Sequence, residues 1–183
     1  MLEELIRELW GEAERLHLPV VTHGNPGATV EFLEQVFGRP VPSHVATWFS
    51  WRDGVAYLPG QTQNDAALVP GYEPLSATES AAMRRDSPRD PLLLSNFFPL
   101  LGTGGGDFYA ASYDLETARS HVVSVVVGED SRVAYGSIEQ MVETLVGCYR
   151  DGIFFVDEDG VLQADDERWI QREIEAVGRI SDQ

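Results

Sequence analysis

Over residues 2–16, Leu2, Leu5, Ile6, Leu9, Trp10, Ala13 and Leu16 share one face, and Glu3, Glu4, Arg7, Glu8 and Glu12 the other. Spacings of three and four are the period of an amphipathic helix. Pro19, Gly24, Asn25, Pro26 and Gly27 mark residues 17–27 as a loop. A second helix is predicted from residue 28 or 29 through Phe32, Leu33, Val36 and Phe37, ending at Gly38. Pro40 and Pro42 break the chain. A short aromatic helix over 43–52 then carries Val45, Trp48, Phe49 and Trp51 and stops at Asp53-Gly54. Residues 55–58 suggest a short strand, 61–71 a polar loop and 72–75 another strand. Ser76 and Glu79 have the spacing of a capping box and open a helix through Met83; a mobile surface loop is expected over 84–91.

From residue 96 the period changes to that of strands. Segments 96–100 and 108–112 flank a glycine-rich turn, and the β-branched run 121–127 reads as a buried central strand. Ser137 and Gln140 form a second capping box, followed by a helix with Ile138, Met141, Val142, Leu145, Val146 and Tyr149 inward. Strands at 153–156 and 160–162 join through Glu158-Asp159-Gly160, a hairpin signal. A final helix from about Asp166 is expected to turn Trp169, Ile170, Ile174 and Val177 inward. This order predicts an α+β fold, a central, mostly antiparallel sheet flanked by helices, and lacks the βαβ alternation of a doubly wound sheet. One domain is expected over 1–183, with 1–26 an N-terminal helix and loop and 164–183 a C-terminal helical extension.

The charge narrows the partners. Thirty acidic residues stand against 13 basic ones, all arginine, for a formal net charge of −17. That balance argues against nucleic acid and anionic membranes and favours a basic protein partner. No apolar run approaches the roughly 18 residues of a membrane span, and the acidic N-terminus does not read as a signal peptide. A single cysteine, Cys148, allows no intrachain disulfide, so a cytoplasmic location is expected.

Each motif with chemical potential has a plainer account. The cluster Gly102-Thr103-Gly104-Gly105-Gly106-Asp107 has no lysine and precedes a strand, so it reads as a tight turn and not a phosphate loop. His17, His23, His44 and His121 lack ligand spacing, and aligning Gly160 with a calcium loop puts Phe155 at the first ligand position. Cys148 sits within a predicted helix, where burial makes it inert, and no Gly-x-Ser-x-Gly elbow is present. No catalytic residue, metal ligand or cofactor is assigned. Adjacent Trp48 and Phe49, with Trp51, cannot all face one way, so an exposed tryptophan beside acidic residues is a candidate interface. The candidate partner-binding residues are Trp48, Trp51, Asp53, Tyr57, Asp65 and Asp107.

The order of motifs resembles the SUKH superfamily, which contains the fungal Smi/Knr cell-wall assembly regulators and many bacterial relatives. The resemblance is carried by Gly27-Ala28-Thr29 with Glu31, Leu33 and Glu34; Gly38 with Pro40 and Pro42; and Trp51-Arg52-Asp53-Gly54. It continues in Phe98-Pro99, Gly105-Gly106-Asp107, Ser137-Ile138-Glu139 and Tyr149-Arg150-Asp151-Gly152. It spans about residues 27–156, is weakest over 61–91 and stops short of the helix at 166–180; partner specificity is expected in those last two places. It implies a SUKH-like α+β fold and a non-enzymatic binding module. Many bacterial members are immunity proteins that neutralise toxins, often nucleases. The implied role is an immunity protein that masks the site of a basic cognate toxin. The alternatives are a regulatory or scaffold protein in cell-wall or stress physiology, and a small-ligand binder or hydrolase without a visible motif.

Overall fold

The strand-period half of the chain forms an antiparallel sheet, and the helical segments stack unequally on its two faces. In the computed structural model, residues 1–87, 90–94, 96–114 and 120–181 are described. Within them the order is α1 (Leu2–Arg15), α2 (Val20–His23), α3 (Val30–Phe37), α4 (Ser43–Trp51), α5 (Gln63–Ala66), β1 (Glu73–Pro74), α6 (Ala77–Asp86), β2 (Asn96–Gly102), β3 (Phe108–Tyr113), β4 (Ser120–Val125), β5 (Arg132–Tyr135), α7 (Ile138–Arg150), β6 (Phe154–Val156), β7 (Leu162–Ala164) and α8 (Asp166–Ser181). Strands β1 to β5 pair in sequence order, all antiparallel, and β6 and β7 form a separate hairpin. The fold is α+β, as expected.

Alternation along the strands divides the sheet's side chains between two cores. Tyr109, Ala111, Val122, Ala134 and Tyr135 join the main cluster, together with the inner faces of α1, α4 and α7. Phe108, Ala110 and Val123 point the other way, into a small cluster with Leu93 that Met83, Leu92, Phe97 and Val125 flank. Pro99 has no N–H to give the ladder, and β2 carries a register shift there, between Pro99 and Leu101. Its carbonyl instead accepts the Ser80 hydroxyl of α6 at 2.6 Å, which ties that helix to the second face.

The helix ends follow the sequence closely. Thr29 Oγ1 accepts from Phe32 N, Ser76 Oγ from Glu79 N, and Ser137 Oγ from Gln140 N. Helix α6, however, runs three residues past the expected Met83, to Asp86, so the first part of the expected loop is helical. Residues 88 and 89 of that loop lie outside the described residues. The expected strand at 55–58 reduces to one bridge, Gly24 with Val55, because only Val55 is buried while Tyr57 and Leu58 face solvent. The loops at 17–27 and 61–71 each hold a single helical turn, α2 and α5. Strand β5 was not foreseen.

The largest correction concerns α8. Ile170 and Ile174, expected inward, are 52% and 59% exposed, while Trp169, Glu173 and Ala176 are buried. Glu173 decides this phase. Its Oε1 accepts both the Tyr109 hydroxyl at 2.9 Å and the Tyr135 hydroxyl at 2.8 Å, and its Oε2 pairs with the Arg132 guanidinium. Trp169 packs edge-on against Phe154 with ring centroids 5.0 Å apart. Turning the isoleucines inward would bury more alkyl surface but strand two buried phenol hydroxyls and an arginine. Leaving such groups unpaired costs about 1–3 kcal/mol each, as much as burying an isoleucine gains. The segment expected as an extension is thus built into the core.

Glu173→Ala is expected to lower unfolding free energy by about 3–5 kcal/mol, the cost of breaking a buried charge pair, whereas Ile174→Ala should change it by about 0.5 kcal/mol or less. Urea titration of both variants checks this; the reverse ranking would mean that α8 docks in the other phase.

Candidate functional site

The second face of the sheet is covered by α6 and by the segment 90–94, and between these and the β4–β5 turn a groove of about 650 Å³ stays open. Its floor is apolar: Phe108 and Leu93 are nearly fully buried, and Met83 and Val125 are half-buried beside them. Helix α6 lines one bank with Glu79, Ala82, Met83 and Asp86. These are positions i, i+3, i+4 and i+7, one stripe of a helix. The far bank is Gly106 and Val127, with Asp90 and Glu129 adding carboxylates. Among the described residues lining the groove, four are acidic and none is basic.

The turns that shape the far bank explain the glycine cluster. Thr103 Oγ1 accepts from Gly105 N and Asp107 N, each at 3.1 Å, and Gly106 takes the positive φ of 97° that closes the hairpin. Asp107 Oδ1 then accepts from Val127 N at 2.8 Å, which pins the β2–β3 turn to the β4–β5 turn. Asp90 is held in the same way: the Ser131 hydroxyl bonds its carboxylate and keeps its pKa low, helped by the Leu92 N–H at 2.8 Å.

Behind Glu79 lies a second acidic group at the N-terminus of α6. Asp53 Oδ1 accepts from Ala77 N at 2.6 Å, Glu79 Oε2 accepts from Ser76 N at 2.8 Å, and Glu73 Oε1 accepts the Tyr57 hydroxyl at 2.8 Å. Gly54 permits this arrangement, since a Cβ there would sit 2.5 Å from Ser76 N and its φ is 72°. Burial pushes the Asp53 pKa up, and Glu79 adds to the shift against the opposing Ala77 bond. Burial raises Glu73 as well, Glu79 again contributing. Burial, the bond to Glu73 and the neighbouring carboxylates push the Tyr57 phenol far up. The group is thus an under-compensated negative charge.

The six residues singled out from sequence separate. Asp53 and Tyr57 both belong to the acidic group around Glu79, and Asp107 shapes the far bank of the groove. Trp48 is only 4% exposed and Phe49 is fully buried, so Trp48 is a core residue out of a partner's reach. Trp51 is half-buried, with the Arg7 guanidinium 5.8 Å from its ring centroid. Asp65 caps the α5 turn, accepting from Thr62 N at 2.7 Å, and that bond lowers its pKa. Glu79, Asp86, Asp90, Glu129 and the apolar floor were missed. The i, i+3, i+4, i+7 stripe of α6 was visible, but not that its face would lie beside an unfilled space.

The other motifs resolve structurally. Asp157 Oδ1 accepts from Asp159 N and Val161 N, which closes the β6–β7 hairpin. Cys148 is buried, and burial pushes its thiol up to about 12. His44 faces Glu139 at 3.3 Å, and His121 Nε2 lies 2.9 Å from the Leu92 carbonyl. Among the described residues no group of three or more His, Cys, Asp or Glu could hold a metal ion, and no helix is long and apolar enough to cross a membrane. Compared with protein-family models and with curated proteins, the chain matches none.

A carboxyl whose pKa is raised by folding binds its proton more tightly in the folded state. Its ionisation therefore weakens the fold as pH climbs from the ordinary carboxylate range through the raised value. Asp53→Asn combined with Glu73→Gln should accordingly gain stability relative to the parent between about pH 4 and pH 7. Urea unfolding at both pH values checks it; a pH-independent difference would contradict the raised values.

Proposed function

We propose that the chain is a non-enzymatic protein-binding module that receives a basic protein partner on the α6 face of its sheet. The observation that carries this reading is the groove: an apolar floor ringed by Glu79, Asp86, Asp90 and Glu129, with no basic residue among its described lining. Burying a leucine-sized side chain there contributes about 1.5–3 kcal/mol, while each exposed rim pair adds about 0.2–1 kcal/mol. The floor therefore supplies affinity, and the charges supply encounter rate and choice of partner. A net charge of −17 repels a second copy of this chain and attracts a cation-rich surface.

The finer reading is a cytoplasmic, SUKH-like immunity protein that neutralises a basic toxin, a nuclease being the fitting class, because a nuclease must expose cations where nucleic acid binds. The order of sequence motifs supports it. So does the position of α6 within residues 61–91, where resemblance to the family is weakest and partner specificity was expected. A host regulator would use the same surface, but its loss would leave toxin sensitivity unchanged.

Association with the product of the neighbouring gene, followed by calorimetry, is expected to be tight at low salt and to weaken steadily as ionic strength rises. A basic neighbour that does not bind at low salt would overturn the immunity reading.

A further inference from the structure

We propose that the groove binds an extended segment of the partner that carries one apolar side chain between two arginines or lysines. The inference rests on the protein-binding reading above and gives it a recognition rule. Glu79 and Asp86 are seven residues apart on α6, two turns, so they lie on one face about 10 Å apart. Ala82 and Met83 lie between them on the same stripe, above the floor of Phe108, Leu93 and Val125. In an extended chain, residues i, i+2 and i+4 point to one side and span about 13 Å. A cation–x–apolar–x–cation segment alongside α6 thus sets its central side chain over the floor and its two long cationic side chains at the carboxylates.

Three features select cations at the ends. Asp86 stands in the last turn of α6 beside Arg84 and Arg85, and of these three only the Asp86 carboxylate lines the groove. At the other end, Glu79 is backed by Asp53 and Glu73, whose ionisation is disfavoured by burial and by the charge of Glu79 itself. Across the groove, Glu129 is exposed on the β4–β5 turn and extends the same sign of charge to the far bank. The mouth is apolar as well, since Val127 is 67% exposed there.

The probe is a capped synthetic peptide with the core Arg-x-Leu-x-Arg, titrated into the full chain while methyl resonances are followed by NMR. Shifts are expected at Val125, Val127, Leu93 and Met83, with about tenfold or greater loss of affinity when the central leucine is replaced by glycine. Ala82→Trp, which fills the groove, should weaken the leucine peptide about tenfold and leave the glycine peptide unchanged. Val127→Arg, at an exposed position that the fold tolerates, should weaken both peptides by placing a cation at the mouth. Equal affinity for the leucine and glycine peptides, or shifts confined to another face, would overturn the rule. If the whole partner binds tightly yet ignores Ala82→Trp and Val127→Arg, this inference fails and the protein-binding reading stands. If no basic partner binds, that reading fails, whatever the peptides do.

Discussion

A single buried carboxylate sets the arrangement of this molecule. Glu173 brings a charge into the core because three donors from β3 and β5 meet it there, two tyrosine hydroxyls and the Arg132 guanidinium. A buried ion is tolerated only when its lone pairs are filled in this way, and removing one partner costs far more than the pair contributes. The pairing fixes the rotation of α8, brings Trp169 against Phe154 and closes the first face of the sheet. Ile170 and Ile174, four residues apart on the helix, face solvent side by side as a consequence.

With α1, α7 and α8 committed to the first face, α6 joins the main core through Ala77 and Ala81 and reaches the second face through Met83. Its N-terminal half is held by Ser80 on the Pro99 carbonyl and capped by Asp53 and the Ser76–Glu79 box. One helix and the segment 90–94 bury Phe108, Ala110 and Val123 but leave Val125 half-exposed, and the groove remains beside them. Carboxylates at its rim give the space a sign. The proposed binding face rests on this unequal loading of the sheet, and the acidity of the chain as a whole bears on the proposed class of partner.

Much of the fold was legible because local signals were strong. The face of α1 shows in its own three-and-four spacing, and the caps at Thr29, Ser76 and Ser137 and the glycine-rich turn before β3 rest on interactions within a few residues. Failures came where distant partners decide. The phase of α8 depends on tyrosines more than thirty residues upstream, and a reading by hydrophobicity chose the isoleucines over a glutamate. Strand β5 is only four residues long and offers too little alternation to stand out. Trp48 and Phe49, adjacent on a short helix, were expected to diverge, yet both are buried on a helix that packs against α1 and α3. The site was half legible: Asp53, Tyr57 and Asp107 bear on it, but the groove itself is an absence of packing, which no local pattern encodes.

Hydrogen–deuterium exchange on the complex with the basic partner tests the central claim most directly, because it maps the buried surface without altering it. The expected result is slowed exchange over 79–86, 90–93, 106–108 and 125–131, with α1 and the outer face of α8 unchanged. Protection confined to α1, α7 or α8, with those segments exchanging as in the free chain, would contradict it.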